Sequence, residues 1–161
     1  MTASERGELI RRYGEGAELL RRAWEGVPPE ARKFRPGPGR WSAHEVVVHA
    51  ADSETNGAMR IRYVLAEKDP VIQAYDEAEW ARRFDYHELP AEAALEAVTA
   101  VRANTLALLE RLTDEDWKKT ARHSESGTYG AEAWLRVYAE HLEKHTGQIE
   151  RNLAAWKASR G

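Results

Sequence analysis

Four stretches of the chain repeat apolar residues at steps of three and four, the spacing that places side chains on one face of an α-helix. They cover residues 9–27, 42–67, 91–112 and 130–156. No stretch of useful length alternates apolar and polar residues as a half-buried strand does. The pattern predicts an all-α fold, a four-helix bundle, in which residues 1–161 form a single domain.

Long links join the predicted helices. Residues 28–41 are rich in Pro and Gly, and residues 113–129 begin with a short helical pattern. Residues 68–89 are numerous enough to cross the bundle, which would leave the second and third helices parallel. Ser42 precedes the second helix, and Glu45 three residues later completes a capping box that fixes its start. Long ordered links of this kind often carry function.

Composition narrows the class of protein. The 161 residues are 42% hydrophobic and 32% charged with a formal net charge of -3, values typical of a soluble globular domain. Basic residues are scattered among acids, so we expect no nucleic-acid partner. The absence of Cys excludes disulfides, Cys-ligated metals and a thiol nucleophile in the chain. We expect no membrane partner and a cytoplasmic location, because no apolar run could span a bilayer and the N-terminus does not resemble a signal peptide.

Three histidines form the main candidate site. His141 and His145 lie one turn apart in the fourth helix, so they project side by side from the edge of its apolar stripe. Burying imidazoles without partners is costly, which calls for hydrogen-bond acceptors or a metal ion. His49 in the second helix could supply a third ligand. The alternative is that the pair consists of surface histidines or of core histidines that are hydrogen-bonded.

A polar stripe follows His49 along the second helix. It contains Ser53, Asn56 and Arg60, with Asp52 beside it, and predicts a lined cavity because this helix must pack against others. Asn56 and Arg60 could hold a carboxylate of a substrate, the arginine through its planar fork. Asp52 could orient an imidazole or act as a general base, or it could be a solvated acid or an ion-pair partner of Arg60.

Three segments resemble the DinB/YfiT-like family. The run Trp41–Arg60 resembles the second helix of that family, and Pro70–Trp80, with its Tyr75-Asp-Glu stretch, is similar to the YfiT branch, which includes bacillithiol S-transferase-like proteins. The run His123–Ile149 resembles the same branch. The three segments occur in the expected order and together cover most of the chain.

The resemblance implies a four-helix bundle that holds one divalent metal ion, nickel or zinc, through three histidines at positions matching His49, His141 and His145. It also implies a homodimer. Family members include S-transferases that use low-molecular-weight thiols such as bacillithiol, and proteins described as hydrolases. This chain departs from the pattern at Lys144 and Gln148, where several YfiT-like members carry further histidines.

Function is predicted from this site. Three imidazoles leave a coordination position open, as catalytic metal sites do. The leading prediction is an S-transferase that joins a low-molecular-weight thiol to an electrophilic small molecule, the thiol arriving as a cosubstrate because the chain has no Cys. The alternatives are a metal-dependent hydrolase that activates water and a non-catalytic metal-binding stress protein. Tyr75 in the long link could cover the pocket or simply pack there.

Overall fold

The computed structural model describes residues 1–161 and confirms the four-helix bundle. The four predicted stretches correspond to its four long helices, and the predicted short helical turn after residue 112 is also present. The elements in chain order are α1 (Ala3–Glu25), α2 (Ala43–Ala66), β1 (Val71–Ile72), α3 (Glu77–Arg83), α4 (Ala91–Leu109), α5 (Asp114–Trp117), β2 (Thr120–His123), β3 (Gly127–Gly130) and α6 (Ala131–Ala158).

The start of α2 is fixed by the predicted capping box. The Ser42 hydroxyl accepts a hydrogen bond from the backbone amide of Glu45, and the Glu45 carboxylate accepts one from the Ser42 amide. Two of the free amides at the helix end are thereby satisfied. The start of α2 also sets the register of every side chain that this helix carries toward the bundle interior.

The long link after α2 crosses the bundle, so α2 and α4 run parallel. His44 near the start of α2 bonds to the backbone oxygen of Leu89, just before α4, and Arg62 near the end of α2 bonds to Asn104. Around the bundle, α2 lies between α4 and α6, and α1 closes the ring between the other faces of those two helices. The crossing leaves α2 antiparallel to α6, the helix that carries the histidine pair.

A close approach joins α2 to α6. The indole of Trp134 donates to the backbone oxygen of Gly57, and the Tyr138 ring lies so near that a Cβ on Gly57 would come within 2.4 Å of it. Glycine therefore permits two aromatic side chains of α6 to pack directly against the α2 backbone. One turn further along α6, His141 is brought against α2 as well.

A small sheet and the helix α3 were not predicted. β1 pairs parallel with β2, and β2 pairs antiparallel with β3. These strands contain two to four residues, too few to show alternation in a sequence. The sheet ties the long link to the hairpin that precedes α6. No helix is both long and apolar enough to cross a membrane.

The spacing of apolar residues in α4 predicts one buried face with Ala94, Val98, Val101, Thr105, Leu108 and Leu112, and this prediction is partly wrong. Val98 and Thr105 are buried as expected, but the other buried residues of the helix are Ala91, Leu95, Arg102 and Leu109, whereas Val101 and Leu108 are only half-buried. Compared with this prediction, α4 is rotated about its axis, and the Arg102 guanidinium reaches partners in the bundle centre. A charged side chain thus occupies a position that the apolar pattern would assign to a hydrophobic one.

Candidate metal centre

The structure brings the three predicted histidines together. One ring nitrogen from each of His49, His141 and His145 lies within 4.8 Å of those of the other two. The two α6 histidines face each other, with their Nε2 atoms 3.1 Å apart. The His49 ring lies 4.9 Å from that of His145, centroid to centroid. The other three histidines of the chain do not join this group.

His49 is almost completely enclosed. Its residue exposure is 1%, and its ring packs against the Trp41 indole with centroids 4.7 Å apart. Burial, reinforced by the neighbouring charges of His145 and His141, lowers the pKa of His49 to about 3. The imidazole is therefore neutral at physiological pH. Its Nδ1 atom is buried without a hydrogen-bond partner, which is an unfavourable state for a polar atom.

His145 is held by the next turn of α6. Its Nδ1 lies 3.1 Å from Oε1 of Gln148, an atom that can only accept, so Nδ1 carries the proton. Burial, together with the charge of His141, lowers the pKa of His145 to about 4. The neutral ring then presents the lone pair of Nε2 toward His141. Gln148 occupies one of the two positions at which the sequence departs from the resembled family.

His141 is oriented from the opposite side by a carboxylate. Its Nδ1 donates to Oε1 of Glu54 at 2.7 Å, which leaves Nε2 as the nitrogen that faces His145. Two neutral imidazoles with this proton arrangement would point lone pairs at each other over 3.1 Å. A proton or a metal cation between them removes that repulsion.

Glu54 belongs to a buried charge network that the sequence analysis missed. Arg102 forms a two-pronged ion pair with it, donating from Nε at 2.9 Å and from Nη2 at 2.8 Å. The same guanidinium donates to the backbone oxygens of Tyr13 and Tyr138. Glu54, Arg102, Tyr13 and Tyr138 lie on α2, α4, α1 and α6, so the network joins all four long helices.

The Glu54 carboxylate is ionised despite its burial. Burial acts to raise its pKa, but the hydrogen bond from His141 and the charge of Arg102 outweigh that effect and lower the pKa below its usual value. One signal in the sequence could have found the pair. Arg102 lies four residues after Val98 and three before Thr105, which places a charge on the predicted apolar face of α4.

Asp52 is bound to the long link and not to a histidine. The Tyr86 hydroxyl donates to its Oδ2 at 2.5 Å, and no ion pair joins Asp52 to Arg60. The carboxylate in contact with an imidazole is Glu54, two residues later. Asn56 donates to the backbone oxygen of Asp52 at 3.1 Å, so its amide is partly engaged within α2.

Arg60 on α2 and Tyr75 on the long link lie against each other, and we call this pair the rim. The Arg60 guanidinium donates to the backbone oxygen of Gln73 and lies 5.6 Å from the centre of the Tyr75 ring. Burial raises the pKa of Tyr75 to about 12, so its hydroxyl is protonated, and that hydroxyl has no hydrogen-bond partner. Glu77 approaches from the same link, with a carboxylate oxygen 3.8 Å from His49 Nε2.

The chemistry of the three donors fits a borderline divalent metal. Neutral imidazole nitrogens suit zinc, nickel, copper and iron, whereas magnesium and calcium prefer oxygen ligands. The unpartnered nitrogen of His49 and the opposed nitrogens of the α6 pair are what a histidine metal site leaves unsatisfied without its ion. The carboxylate on His141 is the kind of outer partner that orients a metal-binding imidazole.

Relatives of this chain carry names that refer to metal dependence. A protein of Oceanobacillus iheyensis named "Putative metal-dependent hydrolase" is 36% identical over 111 residues, which is 69% of this chain and 64% of that protein. The match thus spans just under two thirds of that relative. A protein of Geobacillus kaustophilus with the same name is 31% identical over 81% of this chain and 74% of its own length.

Two solved structures share the fold. YfiT from Bacillus subtilis, described as "a probable metal-dependent hydrolase with an unusual four-helix bundle topology", is 25% identical with a TM-score of 0.88, covering 94% of this chain and 87% of its own. A mutant of a mycothiol-dependent maleylpyruvate isomerase has a TM-score of 0.71 at 13% identity, covering 92% of this chain and 61% of its own, which is a likeness of fold alone. A family model described as the DinB superfamily matches residues 12–149. The chain therefore belongs to the DinB superfamily.

Proposed function

We propose that His49, His141 and His145 hold one divalent metal ion, nickel or zinc, and that the protein is a metal-dependent enzyme acting on a small molecule. The observation that carries the proposal is the convergence of three imidazoles from two helices within 4.8 Å. The names of the hydrolase-like relatives support the same metal dependence. Three protein ligands leave a position for substrate or water.

Bound by these histidines, a divalent ion would supply Lewis acidity and lower the pKa of a coordinated water or thiol. The chain itself supplies orientation. Glu54 keeps the proton of His141 on Nδ1, and Gln148 does the same for His145, so that both Nε2 lone pairs face the centre of the group.

Polar groups at and beside the rim would bind the substrate. Arg60 and Asn56 lie on the α2 face that follows His49, where a guanidinium and an amide can bind a carboxylate or a carbonyl. The unpartnered hydroxyl of Tyr75 is a further donor for a bound molecule. Asp52, fixed by Tyr86, is the general base that we propose for a proton on the substrate side.

The reaction that we propose is transfer of a low-molecular-weight thiol to an electrophilic compound. The chain contains no Cys, so a sulfur nucleophile must come from a cosubstrate such as a small cellular thiol. A metal-dependent hydrolase is the second candidate, and the names of the relatives support it. We also propose that the active form is a homodimer, which light scattering during gel filtration would test.

Two activity measurements made side by side distinguish the transferase from the hydrolase. Consumption of a neutral electrophile, 1-chloro-2,4-dinitrobenzene, is measured with and without added thiol, alongside cleavage of p-nitrophenyl esters, in protein loaded with nickel or zinc. Thiol-dependent consumption supports the transferase, and ester cleavage without thiol supports the hydrolase. Tight metal binding with no turnover over a wide panel would instead favour a non-catalytic metal-binding protein.

An Arg60→Ala variant tests the rim separately from the metal. We expect it to keep its metal and lose most of its turnover, because Arg60 contacts the link and not the histidines. Metal content and circular dichroism are measured on the same sample. Loss of metal or of helical signal in this variant would assign Arg60 a structural role.

A further inference from the structure

A cleft near the histidine group is lined by two arginines that form no ion pair. It has a volume of about 500 Å³ and lies between the Pro/Gly-rich link before α2 and the C-terminal half of α6. Its lining contains two arginines and no acidic residue. The lining residues are Pro36, Arg40, Trp41, Gln148, Arg151, Asn152 and Ala155.

Neither arginine of the cleft is held by an acidic residue, whereas several others in the chain are. Arg12 and Arg102, for example, are held by Glu143 and Glu54 in ion pairs. Arg40 and Arg151 form no ion pair, and their guanidinium groups make no hydrogen bond within the chain. Two unneutralised guanidinium groups on opposite walls of one cleft create a local positive potential, and their planar donor forks match carboxylate and phosphate oxygens.

The walls of this cleft are fixed by the same residues that contact the histidines. The buried Asn152 donates from Nδ2 to the backbone oxygen of Trp41 at 2.8 Å, which fastens the link to α6. The Trp41 ring packs on His49, and Gln148 bonds to His145. A group bound between the arginines would therefore be separated from His49 and His145 by the Trp41 and Gln148 side chains.

We propose that this Arg40–Arg151 cleft is the subsite for an anionic group, a carboxylate or a phosphate, on one of the small molecules that react at the histidines. The inference rests on the proposed function and adds the charge of the substrate to it. The anionic group belongs either to the thiol cosubstrate or to the compound that is attacked or cleaved. In both cases the arginines anchor the molecule at a distance from its reacting atoms.

Binding tests the cleft without any turnover. Succinate and its neutral analogue succinamide are titrated into metal-free protein while tryptophan fluorescence is followed, with Trp41→Phe to identify the signal of the cleft. We expect succinate to change the fluorescence and succinamide to leave it unchanged. In the double variant Arg40→Gln/Arg151→Gln, the dissociation constant for succinate should rise at least about tenfold, the loss of a charge-assisted hydrogen bond.

The matched control is Arg111→Gln. Arg111 is also exposed and unpaired, but it follows α4 and does not line the cleft. We expect this control to bind succinate as the wild type does. Succinate binding that is absent in the wild type, or equal in the double variant and the wild type, would overturn the proposed subsite.

Turnover identifies which molecule carries the anion. Mercaptosuccinate is compared with 2-mercaptoethanol against a neutral electrophile, and mono-p-nitrophenyl succinate is compared with p-nitrophenyl acetate. The double variant should raise KM only for the anionic member of one pair. Equal losses for anionic and neutral members would contradict the subsite. If none of these compounds is turned over, the proposed enzymatic function fails. The succinate titration still tests whether the cleft binds an anionic group.

Discussion

Glu54 and Asp52 are carboxylates two residues apart on α2, and their surroundings are opposite. Glu54 has a residue exposure of 1% and joins Arg102 to His141 in the centre of the bundle. Asp52 is only half-buried and is bonded to Tyr86 at the end of the long link. On the core side Glu54 fixes the direction of an imidazole, whereas the link side of the site is partly exposed to solvent.

Because of this difference, we expect substitutions in the core and at the rim to have different effects. Arg102 contacts backbone or side chain on every other long helix, so the core network cannot change without affecting the whole fold. The rim depends on the 68–89 link, where the hydrogen bond from Arg60 to the backbone oxygen of Gln73 is exposed. We expect core substitutions to alter stability and metal affinity, and rim substitutions to alter turnover.

The largest effect should follow from Arg102→Leu. It leaves Glu54 buried without its ion-pair partner, which costs about 3–5 kcal/mol in the free energy of unfolding. Urea unfolding of the metal-free protein measures this, and Arg12→Ala is the control because its pair with Glu143 is partly exposed and worth about 1 kcal/mol or less. Equal losses in the free energy of unfolding for the two variants would contradict the distinction between core and surface ion pairs.

Acid should destabilise the metal-free protein next most strongly. The folded pKa values of His49 and His145 are about 3 and about 4, below the ordinary value of 6.5. Below pH 6.5 the unfolded chain takes up protons that the folded chain refuses, so stability is lost as pH falls toward 4. Each histidine contributes a slope of up to about 1.4 kcal/mol per pH unit.

Urea unfolding at pH 7.5, 6.5 and 5.5 measures this slope. The double variant His49→Gln/His145→Gln lacks both titrating groups, and its stability should vary much less with pH over that range. If wild type and double variant show the same dependence, the two imidazoles are not the groups that resist protonation in the fold.

A smaller effect distinguishes the two carboxylates directly. Glu54→Gln weakens the hydrogen bond that orients His141 and should lower metal affinity about 10- to 100-fold, the usual loss for an outer partner of a metal ligand. Asp52→Asn should leave metal affinity unchanged and lower turnover. Both affinities are measured by competition with a chromogenic chelator, after unfolding curves confirm that each variant is folded. A reversed pattern would make Asp52 the orienting carboxylate.

Much of the fold could be predicted from the sequence because its long helices bury apolar stripes. The periodicities gave the four helices, and the Ser42 box fixed the start of α2. The three strands are too short to show alternation, and the pairing of β1 with β2 joins residues distant in the chain, such as Val71 with Arg122. The convergence of the three histidines followed from helix spacing and from the resemblance together.

The part of the site that could not be predicted is the buried ion pair of Glu54 and Arg102, in which charged side chains occupy core positions. Arg102 was overlooked because a helical pattern reports burial through hydrophobic residues, whereas this side chain is buried through an ion pair and two backbone oxygens. Glu54 was not among the predicted site residues. Its bond to His141 depends on the antiparallel register of α2 and α6, which no local pattern contains.

Elemental analysis of the purified, untagged protein after gentle dialysis tests the central claim most directly. The wild type is compared with His49→Ala and His145→Ala, and with His44→Ala as a control whose imidazole bonds to Leu89 outside the group. We expect about one nickel or zinc ion per chain in the wild type and in His44→Ala, and none in His49→Ala or His145→Ala. A full metal complement in His145→Ala, or no metal in the wild type even after nickel or zinc is added, would contradict it.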